Sequence, residues 1–461
     1  MTPPTTPRAA ATPDTAGGRW SPALWGLLFV LAGNMLIDAL EVSVALVALP
    51  AIGDDLALPV TQLHWVVSGF AVGFGGLLLF GGRVVALLGR RRVYLAALLV
   101  FAAASLAGAF AVNGPLLVAT RLVKGFCAAL TAPTGLAIIA SVFPEGSARS
   151  RAVSVYSLFG AGGFSAGLLL SGVLTEVSWR WTFAFPAPVA LLLFAAGLRL
   201  IPGDAPREDT TGRYGAVGAL SLTGAVLLLV YAITSVPGTG WQHPRTAGAF
   251  ALAVLLGAVH VRSELTARDP LLHLGLLTRG PLVRSALGAG ALNGSYLGLL
   301  LLSTLHLQQR AGWSPLETGL AFLPASAPLA LTALHSGRVV ARFGPARLIA
   351  AGAAAAPVGY LLYPRDAPAE VRYLTDVLPT VLLVGVAFVL AFTALHLQAT
   401  GSVPVHRQAA ASGLYQTAVQ LGAALVVGLT AALYTVGYGP ALGLLTAVGL
   451  AGFLLALRGL R

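Results

Sequence analysis

The chain contains one long apolar run after another, and each run can cross a hydrocarbon core of about 30 Å as a single helix. These runs predict an all-α integral membrane protein, because a spanning helix satisfies its backbone polar groups within its own segment. Composition supports this: 57% of the 461 residues are hydrophobic and 10% are charged, whereas a typical soluble domain has about 25% charged residues. The fourteen predicted spans are residues 24–48, 63–87, 93–112, 115–140, 152–174, 181–201, 214–236, 246–262, 282–306, 317–340, 346–363, 373–399, 408–434 and 438–457.

The basic residues predict the orientation of these spans. With both termini on one side of the membrane, that side has 21 arginines and the other side has five. An excess of Lys and Arg in short loops marks the cytoplasmic side. We therefore expect a multi-pass protein of a bacterial cytoplasmic membrane with both termini in the cytoplasm. The same asymmetry explains the net charge of +12 without a nucleic-acid partner.

Several function classes lack their sequence signature. The single Cys127 can form no internal disulfide, and no Cys/His cluster has the spacing of a metal site. No Gly-x4-Gly-Lys-Ser/Thr phosphate-binding loop is present, so energy has to come from an ion gradient or from the substrate's own gradient. We expect no enzyme activity, no metal and no cofactor beyond a proton gradient.

An internal repeat divides the chain into two halves. Residues Gly82–Gly89 recur as Gly337–Gly344, a shift of 255 residues that also brings the first six spans close to the last six. Two halves in the same orientation are typical of transporters. The predicted organisation is a disordered cytoplasmic tail (1–22), an N-terminal six-helix bundle (23–201), a linker with two inserted helices (202–278) and a C-terminal six-helix bundle (279–461).

Four charged residues lie well inside the predicted spans: Asp38, Glu41, Arg121 and Lys124. Each costs at least about 2.5–3.5 kcal/mol at bilayer depth, so each is expected to face a partner or a cavity. Asp38 and Glu41 are three residues apart and share a helical face. Two interpretations stay open, a site for protons and substrate or an ion-pair network that only holds two helices together.

The depth of each charge follows from a rise of about 1.5 Å per residue. Counted from the outer helix ends, Glu41 lies level with Lys124 and just below Arg121, and Asp38 lies deeper. We therefore predict that the two cations hold Glu41 ionised, that Asp38 carries the proton and that Glu41 contacts a cationic substrate.

Several motifs occur in a characteristic order. Residues Gly82–Arg92 resemble the signature between the second and third helices of the major facilitator superfamily, and Arg121–Gly125 resembles the signature of its fourth helix. Residues Leu40–Pro50 are similar to the first-helix signature of the fourteen-helix drug:proton antiporter branch. The resemblance covers nearly the whole chain after the tail. It implies two six-helix bundles with two inserted helices, and proton coupling through the first-helix acid, Glu41, and the fourth-helix arginine.

The chain departs from that pattern at four positions. Ala86 stands where the loop signature has an Asp, Glu41 replaces the usual Asp of the first helix, Leu168 replaces the Pro of a Gly-Pro pair, and Pro186 replaces an Asn. The resemblance also implies a cytoplasmic gate at the loop between the second and third helices. The expected gate residues are Gly82, Arg83, Gly89, Arg90 and Arg91.

The sequence favours a proton-coupled exporter, an antiporter of amphipathic or cationic small organic molecules such as drugs or antibiotics. Its expected partners are a small-molecule substrate, protons and the lipid bilayer, and we expect a monomer. Two alternatives stay open: an importer or facilitator of a small metabolite on the same fold, or a membrane sensor that transports nothing.

Overall fold

The computed structural model describes residues 20–204, 216–267, 274–332, 335–366, 368–404 and 407–460, and within these ranges each predicted span contains one or more helices. Helices are the only regular secondary structure among these residues. The helices of the N-terminal half are α1 (Pro22–Leu56), α2 (Val60–Leu88), α3 (Arg90–Ala109), α4 (Gly114–Val142), α5 (Ser147–Val177), α6 (Trp179–Ala184) and α7 (Pro186–Leu200).

Two helices, α8 (Ala216–Thr239) and α9 (Pro244–Thr266), separate the halves. The helices of the C-terminal half are α10 (Gly280–Leu305), α11 (Pro315–Ala321), α12 (Leu323–Thr332), α13 (Ser336–Phe343), α14 (Pro345–Leu362), α15 (Leu378–Gly401), α16 (Gln408–Tyr434) and α17 (Tyr438–Leu457). A π-helical turn, His306–Arg310, extends α10, and a second one, Tyr373–Val377, leads into α15.

The expected count of fourteen spans is not confirmed. Within the described ranges, eleven helical segments are long and apolar enough to cross a membrane, and α2, which bends by 52°, makes a twelfth. The helices in the expected spans 214–236 and 317–340 are not among them, because their apolar segments are too short. The second of them is divided into α11, α12 and α13, and Pro324 and Pro328 lie in its middle part. Proline removes a helical hydrogen bond and clashes with the preceding turn, which favours such breaks.

The predicted repeat extends to the backbone. Gly89 joins α2 to α3 with φ 92° and ψ 145°, and Gly344 joins α13 to α14 with φ 78° and ψ 146°. A positive φ of this kind favours glycine, because it has no Cβ. The domain boundaries at residues 201/202 and 278/279 stay predictions. The expected tail lies outside the described residues, except for its last three, and the last of these, Pro22, already belongs to α1.

Glycines allow the closest helix contacts within each half. A Cβ on Gly167 of α5 would lie 2.8 Å from the carbonyl oxygen of Leu40 in α1, and a Cβ on Gly125 of α4 would lie 2.8 Å from the backbone nitrogen of Phe74 in α2. In the C-terminal half, Gly290 of α10 approaches the backbone of α16 in the same way. Small residues let membrane helices gain dispersion contacts where no hydrophobic effect drives their association.

The two halves meet on the side away from the N-terminus. We call the side on which α1 begins the N-terminal face and the other side the opposite face. Near the opposite face, Gln308 Nε2 donates to the carbonyl of Val47 (3.0 Å), and the backbone N–H of Leu316 donates to Glu176 Oε1 (3.2 Å). At mid-depth, the rings of Phe164 and Tyr296 lie 5.5 Å apart.

Helices α2 and α16 complete this contact, and the inserted α8 packs on both of them. Ser68 donates to the carbonyl of Ala424 (3.2 Å), and Thr417 donates to that of Gly75 (3.1 Å). From α8, Thr223 donates to the carbonyl of Gly76 in α2 (2.7 Å), and Thr234 lies against Gly428 of α16. Helix α8 therefore covers the seam between the halves.

We expect Gly167→Ala to lower the melting temperature of the purified protein, because the new methyl group overlaps the backbone of α1. Gly162→Ala is the matched control, since its Cβ meets no atom within 4 Å. Thermal unfolding in detergent measures both. Equal melting temperatures for the two variants would contradict the close packing of α1 and α5.

Cysteines that replace Glu176 and Leu316 in a Cys127→Ser background should be joined by a short bifunctional thiol reagent, because these residues are in contact across the halves. The control pair is Glu145→Cys with Leu316→Cys, since Glu145 follows the end of α4 at the N-terminal face. Electrophoresis after cleavage of the chain between the halves measures the joined product. A control pair that reacts as completely as the test pair would show that this packing is wrong.

Candidate functional site

The four charges of the spans lie between α1 and α4. On α1, Asn34, Asp38 and Glu41 are spaced by four and three residues, so they lie on one face. On α4, Arg121 and Lys124 are three residues apart and also share a face. The structure turns these two faces toward each other inside the N-terminal half, so the acids and the cations form one buried cluster.

Glu41 is the centre of this cluster. One carboxylate oxygen pairs with the guanidinium group of Arg121, and the other lies 2.6 Å from Lys124 Nζ. All three side chains are fully buried. Arg121 also donates to the backbone carbonyls of Glu41 (2.6 Å) and of Val66 in α2 (2.7 Å). The guanidinium group therefore joins three helices, and both oxygens of Glu41 have a cationic partner.

Aromatic rings enclose the two cations. The guanidinium carbon of Arg121 lies 4.9 Å from the ring centre of Phe70, and Lys124 Nζ lies 5.2 Å from that of Phe101 and 5.3 Å from that of Phe183. Ring faces attract cations, and the attraction is stronger where water is excluded. The rings therefore stabilise charge without adding another ion.

Asp38 has a different environment. Its Oδ2 accepts hydrogen bonds from Asn34 Nδ2 and from the hydroxyl of Thr131 in α4, both at 2.9 Å. The residue is 3% exposed, and both of these donors are neutral. Asp38 therefore has no ion-pair partner among the described residues. The cations that pair with Glu41, one turn away on α1, do not pair with Asp38.

The expected contact of Glu41 with Arg121 and Lys124 is present in the structure, and Asp38 lies apart from it. The expected contact of Glu41 with a cationic substrate does not fit this conformation, because the carboxylate is fully buried and both its oxygens are paired. The roles of these residues in proton coupling stay predictions.

The expected gate loop is helical over most of its length. Gly82 and Arg83 belong to the last turns of α2, and Arg90 and Arg91 begin α3. Only Gly89 lies between the two helices. A one-residue connection suffices because the positive φ of this glycine reverses the chain. The loop is therefore a tight corner, and its role as a gate stays a prediction.

Asp204, which sequence reasoning missed, holds this corner. It follows α7, and its Oδ1 accepts a hydrogen bond from the backbone N–H of Arg91 (3.1 Å). Its carboxylate also occupies the space that a Cβ on Gly89 would need. Acidic groups near a helix N-terminus are stabilising, so Asp204 supplies a favourable carboxylate at the start of α3.

Asn34 and Thr131 were also missed. Both have a spacing signal, since Asn34 is four residues before Asp38 and Thr131 is seven residues after Lys124. In a run of apolar residues, polar side chains at helical spacing from a charge are candidates for its partners. The enclosing rings had no such signal, because phenylalanine is common on every face of a membrane helix.

We expect Glu41→Gln to destabilise the protein strongly, because it leaves two buried cations without an anion. Removing one partner of a buried ion pair costs about 3–5 kcal/mol. Glu145→Gln is the control, since its pair with Arg149 lies on the surface and Glu145 is 87% exposed, where such pairs contribute about 0–1 kcal/mol. Thermal unfolding in detergent should also show partial recovery in Glu41→Gln with Lys124→Met. Equal effects of the two Gln variants would contradict the central position of Glu41.

Comparison with known proteins agrees with this architecture. The family model of the Major Facilitator Superfamily matches residues 31–427. The puromycin resistance protein of Streptomyces alboniger is 36% identical over 415 residues, which cover 89% of this chain and 81% of that protein. The lincomycin resistance protein of Streptomyces lincolnensis is 34% identical, with 95% of this chain and 89% of that protein covered.

A solved peptide transporter of the POT type has the same fold, with a TM-score of 0.68 over 94% of this chain and 93% of that one at 14% identity. The family match extends from α1 to α16 and includes Asp38, Glu41, Arg121 and Lys124. The protein is therefore a multi-span helical membrane protein that belongs to the Major Facilitator Superfamily.

Proposed function

We propose that this protein is a proton-coupled exporter, an antiporter of amphipathic or cationic small organic molecules such as antibiotics. The observation that carries the proposal is the unequal pairing of two neighbouring buried acids. Glu41 has two cationic partners, whereas Asp38 has only neutral hydrogen-bond donors. A buried carboxylate without a counter-ion suits reversible protonation.

The relatives support the substrate class. Two proteins that cover most of this chain are named for resistance to puromycin and lincomycin. Export of such compounds is one way in which a membrane transporter confers resistance. We infer the same class of substrate here, and we place both termini in the cytoplasm on the basis of the arginine asymmetry.

The charges suggest how proton binding acts on the helices. With all four groups ionised, the charges of Asp38 and Glu41 cancel those of Arg121 and Lys124. A proton on Asp38 leaves the cluster with a net charge of +1, which a low-dielectric interior disfavours. Protonation of Asp38 therefore favours a rearrangement of α1 against α4, and deprotonation favours the close packing of these two helices.

Movement of α1 would change the contacts between the two halves. The same helix carries Val47, whose carbonyl accepts the hydrogen bond from Gln308 near the opposite face. Glu176 and Leu316 complete that contact. In the proposed cycle, proton exchange at Asp38 shifts the balance between a state closed at the opposite face and one closed at the N-terminal face. The substrate moves against the proton.

Purified protein in proteoliposomes should accumulate a cationic fluorescent dye when a pH gradient is imposed, and a protonophore should abolish the accumulation. Asp38→Asn removes the titrating group but keeps the hydrogen-bond acceptor. It should lose gradient-driven accumulation and keep dye exchange at equal pH on both sides.

Thr131→Ser keeps the hydroxyl group beside Asp38 and is the matched control, so it should retain coupling. If the dye still accumulates in the presence of the protonophore, with no dye gradient to drive it, the result would contradict proton coupling. Full coupling in Asp38→Asn, together with its loss in a folded Glu41→Gln, would instead assign the proton to Glu41. A panel of metabolites tested in both directions distinguishes export from import or facilitation.

A further inference from the structure

A cavity of about 600 Å³ lies within the N-terminal half at its N-terminal face. Ligand and solvent cavities of proteins commonly reach this size. Every residue that lines it belongs to the N-terminal half or to the four residues that follow α7, so no described residue of the C-terminal half lines it. We call it the N-face cavity. It is lined by Gly82, Val85, Ala86, Gly89, Arg90, Arg91, Pro133, Thr134, Ala137, Ile138, Ser141, Ile201, Pro202, Gly203 and Asp204.

One face of α4 leads from this cavity to Asp38. Ser141, Ile138 and Thr134 line the cavity at spacings of three and four residues, and Thr131 continues the same face one turn deeper. Ser141 is exposed and Thr134 is buried. The hydroxyl of Thr131 donates to Asp38. Along the helix axis, Thr134 and Thr131 are only about 4.5 Å apart.

Residues of α3 also lead from the cavity toward Asp38. Arg90 and Arg91 line the cavity, and Tyr94 follows them on the next turn. The hydroxyl of Tyr94 is buried without a hydrogen-bond partner, and it lies within electrostatic range of Asp38 and Tyr156. Such an orphaned buried hydroxyl is uncommon, and an ordered water molecule is a usual partner for it.

At the exposed end of the cavity, which we call its mouth, two contacts join α3 to α7 and to the segment that follows it. Asp204 ties the start of α3 to the segment after α7, and the guanidinium group of Arg91 bonds to the carbonyl of Leu198. The carboxylate of Asp204 and the cations of Arg90 and Arg91 give the mouth a polar rim. Ala86, on the wall of the cavity, adds only a methyl group to its lining.

We propose that protons reach Asp38 from the N-terminal face through the N-face cavity and the Thr134–Thr131 face of α4, and not through the space between the two halves. This inference rests on the proposed role of Asp38 as the proton carrier. It gives protons and substrate separate paths on this face of the membrane.

The last step needs one hydroxyl group. Thr131 accepts a proton from a hydronium ion on its cavity side, which becomes water, while it gives its own proton to the carboxylate of Asp38, so the hydroxyl is unchanged after the transfer. The titratable groups that face Asp38 are Glu41 on α1, Tyr94 on α3, Cys127 on α4 and Tyr156 on α5. Among the described residues, no cation is in contact with Asp38, and Lys124 is paired with Glu41.

The test uses Ag⁺, a small cation that reacts with thiols, on purified protein in detergent. The parent carries Asp38→Cys in a Cys127→Ser background, so the introduced thiol is the only one in the chain. Ala137→Phe fills the N-face cavity. Leu136→Phe is the matched control, because Leu136 does not line the cavity and is 43% exposed. The thiol that remains after timed exposure is counted with a maleimide dye under denaturing conditions.

We expect Ala137→Phe to slow the reaction by about tenfold, since a filled cavity leaves no water path through a close-packed interior, and Leu136→Phe to leave it unchanged. Equal rates in both variants would overturn the proposed route. This measurement needs no transport, so it stands or falls independently of the proposed function.

A second measurement keeps Asp38 and Cys127 intact and covers the case in which Asp38→Cys does not fold. In proteoliposomes, Ala137→Phe should slow gradient-driven dye accumulation and leave dye exchange at equal pH unchanged, whereas Leu136→Phe should alter neither. Normal accumulation in Ala137→Phe would overturn the route while leaving proton coupling in place. Absence of gradient-driven accumulation in the unmodified protein would instead contradict the proposed function.

Discussion

The buried carboxylate of Glu41 between Arg121 and Lys124 is the interaction on which the N-terminal half depends. Placing three ions in a membrane interior is costly, and the cost is offset only if each ion is paired and bonded. Here Arg121 also bonds to a carbonyl of α2, and Phe70 and Phe183 lie against the guanidinium group. The cluster therefore fixes the relative positions of α1, α2 and α4, and it sets the position of Asp38 one turn away.

The close contact between α1 and α5 couples the Glu41 cluster to residues far from it. Gly163 and Gly167 place the backbones of the two helices in contact, so the helices cannot slide past each other without opening a gap. Helix α1 also reaches α10 through Val47 and Gln308, and α5 reaches α11 through Glu176 and Leu316. A shift of α1 at mid-depth is thus transmitted to the opposite face by packed backbone.

Sequence reasoning found twelve of the fourteen expected spans, the repeated glycine corners and the depth of Glu41 within α1, because each can be read from one segment of the chain at a time. It failed where two or more helices decide the result. The break of the expected span 317–340 depends on how its prolines are accommodated by neighbouring helices. The partners of Asp38 lie partly on α4, and Asp204 is 113 residues away from Arg91, to which it bonds. Spacing along one helix can mark candidates such as Asn34 and Thr131, but it does not show which residues of another helix they meet.

The assignment of the proton to Asp38 follows from what each protonation would leave behind. A proton on Glu41 would remove the anion that both fully buried cations contact, and both would then lie without that partner among aromatic rings. A proton on Asp38 leaves both ion pairs of Glu41 in place, and the hydrogen bonds at Asp38 can adjust to it, because Asn34 is neutral and the hydroxyl of Thr131 can accept as well as donate. Glu41 is therefore the fixed charge of the proposed cycle and Asp38 its variable one, although the family's first-helix signature falls on Glu41.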